Sequence, residues 1–148
     1  MNETLKPLKI GGLTIELPVV LAALAGYTDI SYRLICRGLG APYCATGAML
    51  DTHLLHHGKL RELLTRVHPE DHPLAGQLMG REPAVMARAA AVVAGADYDV
   101  IDLNFACPVK KVLARGRGGY LMDHPDLALE IVKAVREAVP DKPVTVKL

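Results

Sequence analysis

Short apolar runs alternate with helix-like segments from one end of this chain to the other, and no other feature restricts the fold as much. Leu8-Lys9-Ile10-Gly11-Gly12-Leu13-Thr14-Ile15 reads as a small hairpin turned at Gly11-Gly12. Val19-Val20-Leu21-Ala22-Ala23 follows as a continuous apolar run of buried-strand type. Thr28 and Asp29 offer caps for a helix through Ile35-Cys36, ended near Gly38 and Gly40. A second strand spans Tyr43 to Gly47, and a helix runs from about His56 to Arg66, ended by Pro69. Leu74 to Met79 is a third strand. Pro83 then opens a helix over Ala84 to Ala94 that closes at Gly95. Val100 to Phe105 is the fourth strand and is followed by a long loop. Pro125 opens a last helix with Ala128, Ile131, Val132, Val135 and Val139 on one face. Val144 to Leu148 reads as a fifth strand.

Strand and helix in strict alternation, with short links, imply a parallel sheet covered by helices. Strands this apolar are buried on both sides. Pattern alone does not separate a closed barrel from an open doubly wound sheet. The first strand lacks a following G-x-G-x-x-G, which counts against a dinucleotide-binding fold. A TIM (β/α)8 barrel needs about 250 residues and eight strands. The 148 residues here supply about five strands and four helices. The expected fold is therefore α/β, the N-terminal portion of a TIM barrel with a short N-terminal hairpin. The last residue falls inside a strand pattern, so residues 1–148 are expected to be a truncated catalytic domain.

Bulk properties exclude several classes. Half of the residues are apolar and 22% are charged, enough for a real core, while the formal charge of +1 argues neither for nor against a nucleic-acid partner. The three cysteines include no C-x-x-C pair, which disfavours zinc clusters and a disulfide framework and suits a reducing compartment. Met1-Asn2-Glu3-Thr4 lacks the start of a secretory leader, and no apolar stretch approaches the roughly 18 residues of a membrane span. A soluble, cytoplasmic protein with no membrane and no metal partner is expected. His53, His56 and His57 have a spacing compatible with a metal, but no carboxylate completes the set, and a solvated helix face is the favoured reading.

Polar side chains at the carboxyl ends of parallel strands cluster where ligands bind. In the fourth strand Asp102, Asn104 and Ala106 share one face, opposite Ile101, Leu103 and Phe105. Two polar groups on a buried face need partners, either inside the core or on a ligand. Gln77 interrupts the third strand in the same way, and Lys147 sits near the end of an apolar strand that rarely tolerates an unpartnered charge. Cys107-Pro108 follows the fourth strand directly, with Lys110 and Lys111 close behind. Nucleophile and proton donor both remain open for Cys107, whereas Cys36 and Cys44 read as buried small hydrophobes. Arg115-Gly116-Arg117-Gly118-Gly119 offers a basic loop to a phosphate backbone, although a flexible surface loop is the plainer reading.

Together these elements resemble the tRNA-dihydrouridine synthase family. Its first-strand motif, A-P-M-x-G-x-T-D, is similar to Ala22-Ala23-Leu24-Ala25-Gly26-Tyr27-Thr28-Asp29, with Ala23 in place of proline and Leu24 in place of methionine. Gln77 matches the glutamine ending the third strand. The family's N-x-x-C-P followed by K-K-V matches Asn104-Phe105-Ala106-Cys107-Pro108-Val109-Lys110-Lys111-Val112. Gly118-Gly119-Tyr120-Leu121 matches the glycine-rich segment, with Arg117 where a glycine is common, and Lys147 matches the lysine of the V-x-K-x-R strand.

The resemblance implies reduction of uridine to 5,6-dihydrouridine in tRNA, with FMN as the hydride source and NADPH as its reductant. It implies Cys107 as the catalytic proton donor. Thiols as a class are protonated at neutral pH and can act as acids. It further implies Asn104 on the uracil edge, and Ala23, Leu24, Ala25, Gln77 and Lys147 around the flavin ring. The FMN phosphate site and the helical tRNA-binding domain would lie outside these residues, so the isolated chain is expected to hold FMN poorly and to be inactive. Two alternatives are an FMN barrel acting on a free pyrimidine and a non-catalytic remnant.

Overall fold

Leu8–Ile10 (β1) and Leu13–Ile15 (β2) pair antiparallel, Leu8 opposite Ile15, and form the expected hairpin. Gly11 turns it at φ +58°, and a Cβ there would come within 2.7 Å of Pro143 Cγ, so the turn needs glycine for both conformation and close approach. The structure, a computed structural model, describes residues 5–148, and Met1-Asn2-Glu3-Thr4, on which the leader expectation rests, lie outside the described residues.

The main sheet is parallel and is built from Cys44–Ala45 (β3), Met49–Leu50 (β4), Leu74–Met79 (β5), Val100–Asn104 (β6) and Val144–Lys147 (β7). Its order is β3-β5-β6-β7, with β4 also pairing β5, and Leu21 adds a parallel bridge to Cys44 outside β3. Strand order therefore follows chain order without reversal. A doubly wound sheet reverses at a switch point, whereas a barrel does not. This arc is part of a TIM barrel.

Helices Ile30–Gly38 (α1), Asp51–Leu55 (α2), Lys59–Leu64 (α3), Pro83–Ala94 (α4), Lys110–Leu113 (α5) and Pro125–Ala138 (α6) lie between the strands. Asp29 caps α1 by accepting the Tyr32 N–H at 2.8 Å, and proline begins α4 and α6, where the missing N–H costs nothing. Four expectations change. The helix expected over 56–66 is two short helices, because His56 is extended and Gly58 takes φ +134°, which no helix interior accepts. The first strand is reduced to the Leu21 bridge, and the second is shorter than read and is followed by β4. The long loop after β6 contains α5 and a 3-10 turn over Gly118–Asp123.

Register divides the sheet into two faces. Leu74, Leu78, Ile101 and Leu103 point outward, fully buried against Met86, Ala89, Ala90 and Val93 of α4 and Ile131 and Val135 of α6. Tyr43, Ala45, Ala75 and Val100 point inward and pack with Ile15 of the hairpin, which caps the amino ends of the strands. The carboxyl end of the inner face is left to other residues.

Candidate functional site

Parallel register aligns Gln77, Asp102 and Thr145 across β5, β6 and β7, with Asn104 opposite Lys147 one step further on. The aligned side chains join. Thr145 Oγ1 donates to Asp102 Oδ1 at 2.7 Å, and Gln77 Nε2 donates to Asp102 Oδ2 at 2.7 Å. Asn104 Nδ2 donates to Gln77 Oε1 at 2.8 Å. Asn104 Oδ1 in turn accepts the backbone N–H groups of Ala106 and Cys107 at 3.2 and 3.0 Å. The Gln77 backbone N–H donates to Thr46 Oγ1 at 3.0 Å. Gln77, Asp102 and Asn104 are all buried, and each polar group finds a partner within the row. Burial pushes the Asp102 carboxyl above the usual carboxylate range, opposed by the hydrogen bonds from Gln77 and Thr145 and by the Lys147 charge.

Cys107 stands at the mouth of β6, half-buried. Its backbone is held from two sides: Asn104 takes its N–H, and its carbonyl accepts the Gly119 N–H at 3.0 Å. Gly118 lies against it at φ +58°, where a Cβ would stand 2.8 Å from the Cys107 oxygen. The glycines after Arg115 thus seat the thiol loop, and the segment is packed where a flexible loop was expected. Arg117 reaches buried Asp51 at 3.6 Å, and Gly116 packs against Arg81, whose guanidinium lies 5.8 Å from the Tyr120 ring centre.

A cavity of about 340 Å³ opens on the inner face between the hairpin and the polar row. Ala23, Gln77 and Lys147 line it together, with Ala45 and Ala75 leaving the space and Asp102 and Thr145 beneath. Lys147 is exposed at the end of β7. Leu24 and Ala25 are exposed and line a neighbouring cleft of about 510 Å³ with Thr28 and Thr46. Their turn is fixed by Thr28, whose hydroxyl both accepts the Leu24 N–H and donates to the Leu24 carbonyl. Of the residues singled out in the sequence, Gln77, Asn104 and Cys107 are connected by hydrogen bonds, Ala23 and Lys147 share the cavity with Gln77, and Leu24 and Ala25 do not line it. Thr46 and Thr145 escaped sequence reading, since a lone threonine in a strand carries no signal until the register places it.

Cys44 is fully buried as expected, and burial raises its thiol, but Cys36 is only half-buried, because α1 turns it toward its own exposed flank beside Tyr32. His53 is exposed on α2, His56 ends that helix and His57 Nδ1 lies 3.2 Å from Arg61, so the three do not share a helix face. Among the described residues no group of three or more His, Cys, Asp or Glu converges, and no helix is long and apolar enough to cross a membrane.

Comparison with known proteins gives a consistent picture. The family profile described as dihydrouridine synthase (Dus) matches residues 20–148. A probable tRNA-dihydrouridine synthase 1 of Synechocystis sp. is 34% identical over 142 residues, covering 96% of this chain and 40% of the relative. A probable tRNA-dihydrouridine synthase of Rhodobacter capsulatus is 38% identical over 146 residues, with 95% and 44% covered. tRNA-dihydrouridine synthase B of Pseudomonas aeruginosa is 37% identical over 142 residues, with 95% and 42% covered. The chain thus spans less than half the length of these relatives. Among solved structures, histamine dehydrogenase from Rhizobium sp. 4-9 superposes with a TM-score of 0.67 at 16% identity, covering 95% of this chain and 33% of that one. Morphinone reductase does so with a TM-score of 0.60 at 14% identity, covering 95% and 60%. These likenesses are of fold alone.

Proposed function

Because the chain belongs to the dihydrouridine synthase family, we propose that it forms the proton-donating side of a flavin site that reduces uridine to 5,6-dihydrouridine in tRNA. The observation that carries this reading is the hydrogen-bonded row from Gln77 through Asn104 to the backbone of Cys107. It ties the Gln77 amide, which lines the cavity, to the backbone of Cys107, whose thiol stands at the carboxyl end of β6.

The inner face suits a flat, largely apolar ring. Ala45 and Ala75 leave room, and Gln77 and Lys147 supply polar contacts at its edge. Ala23, Gln77 and Lys147 would hold FMN there, with Leu24 and Ala25 contributing from the adjoining turn. When bound there, FMN would supply the hydride for carbon 6 of the uracil, with NADPH as its reductant. Cys107 then gives its thiol proton to carbon 5, so that one hydride and one proton complete the saturation of the double bond. Asn104 keeps one amide hydrogen beyond its bond to Gln77, and that hydrogen serves a uracil carbonyl. The base has to leave its stack to reach a thiol at the end of a barrel strand. Action in the cytoplasm follows from a tRNA substrate.

The test is the dihydrouridine content of tRNA from cells lacking the gene, measured by nucleoside mass spectrometry. Loss at one or more positions is expected. Unchanged tRNA with an altered pool of free dihydropyrimidines would move the assignment to a free base.

A further inference from the structure

We propose that Asp102 is a positioning residue: together with the Ala106 and Cys107 backbone N–H groups at the far end of the row, its carboxyl group fixes the donor–acceptor polarity of Gln77 and Asn104, so that the ring edge they meet must present hydrogen-bond acceptors. The role in turnover rests on the function proposed above, whereas the polarity itself rests on the hydrogen bonds alone.

The row has two ends that cannot be reversed. At one end the backbone N–H groups of Ala106 and Cys107 can only donate, so Asn104 must turn its oxygen toward them, at 3.2 and 3.0 Å. At the other end both Asp102 carboxyl oxygens accept, Oδ1 from the Thr145 hydroxyl and Oδ2 from the Gln77 amide, each at 2.7 Å. Between these ends the two carboxamides have one self-consistent arrangement. Asn104 Nδ2 donates to Gln77 Oε1, and Gln77 Nε2 donates to Asp102. Turning over either amide would set oxygen against oxygen at one junction and N–H against N–H at another.

The polarity has a chemical consequence. The Asn104 oxygen is already occupied by two N–H groups, so its uncommitted polar atom is an amide hydrogen. Gln77 likewise retains one hydrogen on Nε2, and its side chain lines the cavity. The row therefore offers hydrogens, which suit ring carbonyls and bare ring nitrogens and repel an exocyclic amino group. Asp102 also borders the cavity, but its two oxygens are taken by Gln77 and Thr145. It acts through Gln77, and through Gln77 on Asn104 and the Cys107 loop.

The test compares Asp102→Asn, which keeps an acceptor for Gln77 while Thr145 accepts its amide, with Asp102→Leu, which has similar size and no acceptor. Both are made in the full-length, flavin-loaded protein. Asp102→Asn is expected to hold kcat within about threefold, whereas Asp102→Leu loses about 100-fold in kcat with little change in KM for tRNA, as for a slightly displaced reacting group. The Gln77 side-chain amide proton, followed by selective labelling and NMR, should lie downfield in the wild type and in Asp102→Asn and return toward a free amide in Asp102→Leu. Equal kcat in all three proteins overturns the proposal, as does an equal fall in both variants. Should Asp102→Leu not fold, persistence of the downfield Gln77 proton in Asp102→Asn supports it, and loss of that proton overturns it. A wild type that makes no dihydrouridine would sink the assigned reaction but leave the NMR comparison able to decide the polarity.

Discussion

The two faces of one sheet are put to different uses. On the outer face Leu78, Ile101 and Leu103 are fully buried against α4 and α6. On the inner face the same strands present Ala45, Ala75, Gln77, Asp102 and Asn104, small or hydrogen-bonding side chains around open space. Neighbouring residues such as Asp102 and Leu103 belong to different faces because side chains alternate along a strand. Stability gained by removing apolar surface from water is thereby kept apart from the groups proposed to meet a ligand. The outer face can be close-packed because the inner face need not be.

That contrast predicts separable effects. The largest is expected from Leu103→Ala, which should cost about 2–5 kcal/mol of stability by chemical denaturation, the range for emptying a packed leucine site. Turnover per folded molecule should hardly move. A fall in turnover matching the loss of stability would erase the distinction between the faces. Gly118→Ala acts at the seat of the thiol loop, where φ is +58° and the Cys107 oxygen is 2.8 Å from a Cβ. Strain of about 1–2 kcal/mol is expected, with kcat lowered about tenfold by displacement of Cys107. Unchanged kcat would show that the glycine seat does not position the thiol.

The smallest effect is a pH dependence. Burial raises the Asp102 carboxyl in the folded chain, so in that range the native state binds a proton that the unfolded chain releases. Its contribution to stability is therefore greatest at acid pH and declines as pH rises from the usual carboxylate range through the raised value. Asp102→Asn has no such titration, so its stability relative to the wild type should improve with rising pH over that window and then level off. A difference that stays flat would mean that burial does not disfavour the charge.

Periodicity disclosed the outer face well. The apolar runs at 74–79 and 100–105 and the face through Ile131 and Val135 became β5, β6 and α6 in nearly the expected places. The helix expected at 56–66 failed because residue type alone did not reveal that Gly58 would adopt a positive φ. On the inner face, Gln77, Asn104 and Cys107 stood out as polar or reactive groups at strand ends. Their mutual bonding was not legible, because it depends on register between strands more than twenty residues apart, Gln77 opposite Asp102 and Asp102 opposite Thr145. The same limit hid Thr145 and Thr46. Leu24 and Ala25 followed Ala23 in the motif but not in space, since the Thr28-bonded turn carries them into the adjoining cleft.

The most direct test replaces the sulfur. In the flavin-loaded protein, Cys107→Ala should leave reduction of the flavin by NADPH running at close to its normal rate, while dihydrouridine in the tRNA product disappears. Dihydrouridine formed by that variant as fast as by the wild type would contradict the account, since some other group would then be delivering the proton.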